Sequence, residues 1–405
     1  MNVLLIHNSH SEGGGDAVYI RLLMKHLPGF SVNAFLISIE QDREGFTAKC
    51  SHGAEANLSS FRSQASLGEF VESFCRTRQI DLVHIHTLYL PFVVEACLKL
   101  LPVIKTPHST DLICPGTYKF FSKSETICQI PFGLHCIRHA YQEKCCSRSP
   151  KKLLANYTNV YQEVNRFSRQ YKSIMVMSEY VKQECIAAGV PASKLVVNPY
   201  FTEPANGTIE PKQESIQSRL LFIGRLSQIK GVHTLLRALR PLLLNQSLVH
   251  LDVVGDGPYR KKIHDLVVEL GVQDQVTFHG WLDHTQVGNM LQQCSCLLVP
   301  SIYPEAFGIT GIEAMMHRRP VVAFNVGGIS TWLENGNTGF LINAGDMHGF
   351  AEKVQLLLNN PVLANNMGEN GRAVAIRKFG PSIHITRLIE LYNQVITTAA
   401  EPVLF

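Results

Sequence analysis

The chain has 405 residues, of which 45% are hydrophobic and 17% charged, with a formal net charge of +4. At ~150 residues per domain this length suits two or three domains with sizeable cores, two being the better count, and the composition excludes a disordered or fibrous chain. The modest charge lacks the aromatic interleaving of a nucleic-acid surface, so no nucleic-acid partner is expected.

The first residues, MNVLLIHNSH, lack the basic region and cleavage site of a signal peptide, and no apolar run approaches the roughly 18 residues of a membrane span. A cytoplasmic protein is expected, with most of its 11 cysteines packed as thiols. Residues 3–7 read as a strand and 16–27 as a helix, with apolar side chains at three- and four-residue spacing. Strands over 81–86, 103–106 and 174–177 alternate with helices over 67–77 and 90–100, the signature of βα units on a parallel sheet. Between Asp111 and Pro150 the rhythm lapses into an insert holding Cys114, Cys128, Cys136, Cys145 and Cys146, with His135 and His139 nearby. No CxxC pair occurs there, so packed thiols are expected ahead of a structural zinc or redox cluster.

After Asn198 the stretch PYFTEPANGTIEPKQESIQS reads as an interdomain linker. The alternation then restarts with strands over 219–224, 249–255, 275–279, 296–300, 321–324 and 339–342, and the pattern of 381–397 is helical. The expected division is an N-terminal Rossmann-like domain over 1–200 with its insert at 111–150, a second Rossmann-like domain over 201–375, and a helix within 376–405.

Two segments carry chemistry. In RLLFIGRLSQIKGVHTLLRAL a strand ends at Gly224, Arg225 stands at its tip, and Lys230 with Gly231 opens a helix. Ligands bind beyond the carboxyl ends of such strands, where a guanidinium and an ammonium suit a diphosphate; two surface cations are the plain alternative. In VPSIYPEAFGITGIEAMMHRRPVV, Glu305 lies on a loop and a helix starts near Gly308, where free N–H groups make an anion site. Glu313 falls on that helix beside Ile309, Ile312 and Met316, where a carboxylate needs a polar partner such as ribose hydroxyls.

These segments resemble the family 4 glycosyltransferases, retaining enzymes of GT-B fold with two Rossmann-like domains facing each other across a cleft. The family's Glu-x7-Glu pair stands here as Glu305 and Glu313, its Gly-Arg…Lys-Gly element as Gly224, Arg225, Lys230 and Gly231, and its VxGxGP loop as VVGDGP with Gly257. The resemblance implies that Arg225 and Lys230 bind the donor diphosphate, Glu305 the sugar and Glu313 the ribose, with Phe307, Gly308 and Ile309 on the donor as well. Gly13, Gly14 and Gly15 in SEGGGDAVYIRLL match the family's first-domain glycine loop. His108 in KTPHSTDLICP matches a histidine facing the donor sugar, and His86 in DLVHIHT either supports that loop or touches ligand. One departure is GGIST, which puts Thr331 where the family carries an acid.

No Asp-x-Asp motif occurs, so a metal-independent, cofactor-free reaction is expected, with Arg225, Lys230 and the helix N-terminus stabilising the leaving diphosphate. Expected partners are a nucleotide sugar and a saccharide or lipid-linked acceptor, in cell-surface polysaccharide or glycolipid synthesis. Arg138, Lys144, Arg148, Lys151 and Lys152 form a basic stretch that is either a solvated helix start or a peripheral contact at the inner face of a membrane. The alternatives are a nucleotide-sugar epimerase or phosphorylase of the same architecture, a non-catalytic nucleotide-sugar-binding scaffold, and, without the glycine fingerprint, an NAD-dependent oxidoreductase.

Overall fold

Val3, Leu4, Leu5 and Ile6 have no exposed surface in the computed structural model, because the strand they form lies in the interior of a sheet covered on both faces. Residues 1–8, 14–42, 44–53, 55–88, 90–204 and 218–400 are described; Gly13 and residues 205–217 of the expected linker lie outside them. The chain divides into two units. Met1–Tyr118, Gln129–Tyr200 and Pro381–Phe405 make the first, and Lys119–Cys128 with Phe201–Gly380 the second.

The first unit holds β1 (Asn2–His7), α1 (Gly15–His26), β2 (Asn33–Gln41), β3 (Phe46–His52), β4 (Glu55–Phe61), α2 (Gln64–Thr77), β5 (Leu82–Ile85), α3 (Pro91–Leu100) and β6 (Val103–Lys105). The insert supplies a hairpin of β7 (Phe120–Phe121) and β8 (Thr126–Ile127), which belongs to the second unit, then, in the first, α4 (His135–Gln142) and α5 (Pro150–Gln162), which runs through a π turn at Glu163–Phe167 into α6 (Ser168–Gln170). β9 (Ser173–Val176), α7 (Glu179–Ala187) and β10 (Leu195–Val197) follow. The strand order is β10-β9-β6-β5-β1-β2-β3-β4.

From β10 to β2 the neighbours are parallel, as the βα pattern predicts, but β2, β3 and β4 pair antiparallel. The sheet is therefore mixed, and the expectation of a parallel sheet is corrected at this edge. Asp42 closes the β2–β3 turn by accepting from the Glu44 and Gly45 N–H groups at 2.8 and 2.9 Å. β4, EANLSSF, is an exposed edge strand whose polar side chains carry no core pattern.

The second unit is built from β11 (Ser218–Ile223), α8 (Val232–Asn245), β12 (Val249–Val254), α9 (Arg260–Leu270), β13 (Val276–Gly280), α10 (His284–Gln293), β14 (Cys296–Val299), α11 (Ile309–Met316), β15 (Val321–Phe324), β16 (Gly339–Ile342), α12 (Met347–Asn359) and α13 (Pro361–Phe379). The strands β11 to β16 form one parallel sheet in the order β13-β12-β11-β14-β15-β16. That order reverses between β11 and β14, the switch point where open α/β sheets hold ligands.

The last helix, α14 (Pro381–Ala400), belongs to the first unit. Its Tyr392 hydroxyl meets His84 Nδ1 at 2.7 Å, and its His384 Nε2 meets the Tyr19 hydroxyl at 2.8 Å.

Candidate functional site

The loops after β11 and β14 touch through their backbones. Gly231, at φ +68, ends the turn Gln228–Lys230, and a Cβ there would overlap the Pro300 carbonyl oxygen. The Ile302 N–H donates to the Ile229 carbonyl at 3.0 Å and fixes this approach. The VVGDGP loop closes in the same way. Gly255, at φ +127, lies against the Gly224 carbonyl, and a Cβ on Gly257 would overlap that of Leu226.

This packing brings Lys230 to Glu305, which is 5% exposed. Lys230 Nζ lies 2.7 Å from Oε1 of Glu305. The Ser301 hydroxyl donates to the same oxygen at 2.6 Å, and the Tyr303 hydroxyl donates to Oε2 at 2.6 Å. Burial alone would raise the Glu305 carboxyl, but Lys230 and these hydroxyls hold it below its usual range. The sequence reading named neither Ser301 nor Tyr303, although both stand within PSIYPE. Lys230 also lies over the Tyr303 ring, 5.2 Å from its centroid.

Helix α11 begins after Gly308, whose φ of +91 favours glycine and whose position offers no side-chain cap. Its setting is fixed from below. Trp332, 1% exposed, packs where Gly311 has no side chain, and its Nε1 donates to the Phe307 carbonyl at 2.6 Å. The Phe307 ring is buried against Phe379, so this residue offers backbone rather than ring to a ligand. Ile309 is half-buried at the first helical position. Glu313 is half-buried too, and its carboxyl makes no hydrogen bond or ion pair with any described residue. Desolvation pushes it up to about 7.

Arg225 is exposed and pairs with no acid among the described residues. Gly327 and Gly328 follow β15; the Gly328 N–H donates to the Glu305 carbonyl at 2.7 Å, and Thr331 ends the same turn. The insert contributes here as well, for Gln228 Nε2 donates to the Ser122 carbonyl at 3.1 Å and to Glu125 Oε1 at 2.6 Å.

His108, Gly14 and Gly15 are residues of the first unit. Gly14, at φ +104, precedes α1, and Gly15 opens that helix. Both ring nitrogens of His108 are engaged, Nε2 with His86 Nδ1 at 3.0 Å and Nδ1 with the Tyr200 hydroxyl, on whose ring it stacks. Burial pulls the His108 ring down to about 3 against the attraction of Asp16, so it is neutral near pH 7. His86 supports this histidine, and Lys105 Nζ in turn donates to the His86 carbonyl at 3.0 Å. Tyr200 gave no signal in the sequence, since it sits at the edge of the linker.

Two family descriptions match, Glycosyltransferase Family 4 over residues 13–205 and Glycosyl transferases group 1 over residues 209–374. Alpha-D-kanosaminyltransferase of Streptomyces kanamyceticus is 30% identical over 176 residues, which are 44% of this chain and 45% of that protein. The chain thus spans about half the length of this relative. An uncharacterized 41.2 kDa protein in the cps region of Klebsiella pneumoniae is 24% identical over 97% of this chain and 99% of its own. Among solved structures, Anabaena Alr3699/HepE in complex with UDP and glucose superposes with a TM-score of 0.70 at 18% identity, covering 97% of this chain and all of that one. Sucrose-phosphate synthase from Thermosynechococcus elongatus gives a TM-score of 0.72 at 19% identity, covering 98% and 99%.

Proposed function

The chain belongs to glycosyltransferase family 4 and has the GT-B fold, and from that premise we propose that it is a retaining, metal-independent transferase that moves a sugar from a nucleoside-diphosphate donor to a saccharide or lipid-linked acceptor. The observation that carries this reading is the contact of Lys230 with Glu305 at the strand-order reversal, beside the uncapped start of α11. A diphosphate seated there would meet Lys230, Arg225 and the first-turn N–H groups, while the unpartnered Glu313 carboxylate would take the ribose hydroxyls.

In the proposed step the bond between the anomeric carbon and the diphosphate oxygen breaks, and the acceptor hydroxyl oxygen bonds that carbon from the same face. The acceptor proton passes to the departing phosphate oxygen. Negative charge grows on the diphosphate, which the two cations and the helix N-terminus stabilise without a metal ion. The neutral His108 would position the sugar rather than move a proton. The likeness to a protein of a cps region supports a role in cell-surface polysaccharide synthesis.

Thermal unfolding with millimolar UDP, GDP, ADP or NAD, without metal, tests the reading, because a ligand of the folded state alone raises stability by RT ln(1 + [L]/Kd). UDP is the first to try, given the Anabaena complex. One nucleoside diphosphate should raise Tm, and Lys230→Ala and Glu313→Ala should each abolish the shift. No shift, or one with NAD alone, would overturn it. Acceptor-dependent release of the nucleoside diphosphate separates a transferase from an epimerase or a binding scaffold.

A peripheral membrane contact is the second reading, supported by the exposed Leu134, Ile137 and Tyr141 beside the basic stretch. No described helix is long and apolar enough to cross a membrane.

A further inference from the structure

A cavity of about 280 Å³ lies within the first unit, between the ends of β5 and β6, the loop 111–117 and α5 with its π turn. Lys105, Asp111, Asn156, Asn159 and Glu163 supply its polar lining. Lys105 is 3% exposed and lies 3.7 Å from Glu163, whose other carboxylate oxygen accepts from the Tyr171 hydroxyl at 2.9 Å. Asp111 is 7% exposed. Asn156 donates to the Pro115 carbonyl at 3.1 Å, and the Asn159 amide makes no hydrogen bond with any described residue. Leu88, Val160 and Phe167 form an apolar wall.

We infer that this cavity binds one hydroxyl-rich six-membered ring, uncharged or amine-bearing, and that this ring belongs to the acceptor. Two carboxylates against one ammonium disfavour a phosphate or carboxylate ligand. The Asn159 amide, which has no hydrogen-bond partner among the described residues, disfavours an acyl chain, against which it would stay uncompensated. A sugar or cyclitol ring meets both conditions, with hydroxyls for the amides and carboxylates and a C–H face for the apolar wall. The volume sits at the small end of ligand pockets and suits a single ring.

The cavity is joined to His108 by a short chain of contacts. Lys105 holds the His86 carbonyl, and the His86 ring holds His108. A ring that engages Lys105 therefore touches the group that holds the backbone of His86, the residue whose ring meets His108. Only the acceptor role rests on the proposed transferase activity; ring binding does not.

Saturation-transfer NMR on the full chain tests it, with methyl glucoside, myo-inositol and glucosamine as ring probes and methyl phosphate and octanoate as counter-probes. At least one ring should bind, its affinity should fall about tenfold in Asn159→Leu, and Asn159→Gln should recover part of the loss. Nucleoside-diphosphate shifts in Tm should persist in both variants and show that they fold. Equal ring binding in Asn159→Leu, signals from methyl phosphate or octanoate alone, or no signal from any ring would overturn the inference. Ring binding lost in Asn159→Leu without any nucleotide shift in the parent chain would leave the cavity assigned and remove the transferase reading.

Discussion

Glu313 and Glu305 lie on one loop and helix yet are pushed in opposite directions, because only Glu305 has a cation and two hydroxyls around it. The folded Glu313 carboxyl is lifted from an ordinary 4.5 to about 7. Its neutral form is therefore favoured by folding, and the associated stability is present below the ordinary value and lost as pH rises through about 7. Melting from acid to neutral pH should show this loss in the parent chain and not in Glu313→Gln. Ribose hydroxyls would bond the ionised form, so nucleotide affinity should rise across the same window only when Glu313 is present; a flat profile in the parent would remove it from the donor site. Arg225 is tested by turnover, since removing a transition-state donor costs ~10²–10³ in kcat. Arg225→Ala should show that loss together with a smaller nucleotide-induced rise in Tm, and an unaltered kcat would exclude it from the mechanism. Glu305 and Lys230 were legible as motif residues. Their pairing was not, because the two residues lie 75 positions apart and meet only through the backbone approach of Gly231 to Pro300.

At the scale of elements, apolar runs marked β11, β12, β14, β15 and β16 to within a residue, because strands buried on both faces need continuous hydrophobic side chains. β3 and β4 had no such mark. Their outer faces are solvated, and β4 is nearly all exposed. Helix α4 shows the opposite condition, an apolar face without cover. Leu134, at its N-cap, is 78% exposed, and Ile137 and Tyr141 follow at helical spacing with exposures of 40% and 48%. Arg138, Lys144, Arg148, Lys151 and Lys152 are exposed around it. Sedimentation with phosphatidylglycerol vesicles should carry the protein down, phosphatidylcholine should not, and salt or a Leu134→Asp, Ile137→Asp double variant should release it. Equal sedimentation with both lipids would discard the membrane reading.

For the whole molecule, the proposed chemistry relies on cations of the chain itself, so turnover should persist in excess EDTA; a rate that vanished there and returned with Mg²⁺ would defeat metal independence. The two α/β units were readable because the βα rhythm stops and restarts around a proline-bearing polar stretch. That Lys119–Cys128 joins the second unit was not, since Glu125 meets Gln228 across 103 positions with no local pattern to announce it. The chain thus passes between units after Tyr118, Cys128, Tyr200 and Gly380. On the ribosome, the first unit must wait for its last contacts: His84 lacks Tyr392 and Tyr19 lacks His384 until α14 has been made, after the whole second unit has emerged. Vectorial synthesis therefore completes the strands of the first sheet by Val197 but withholds their last covering helix until the second unit has been made, and a nascent chain stalled before Pro381 would present a first unit without the Tyr392 and His384 contacts.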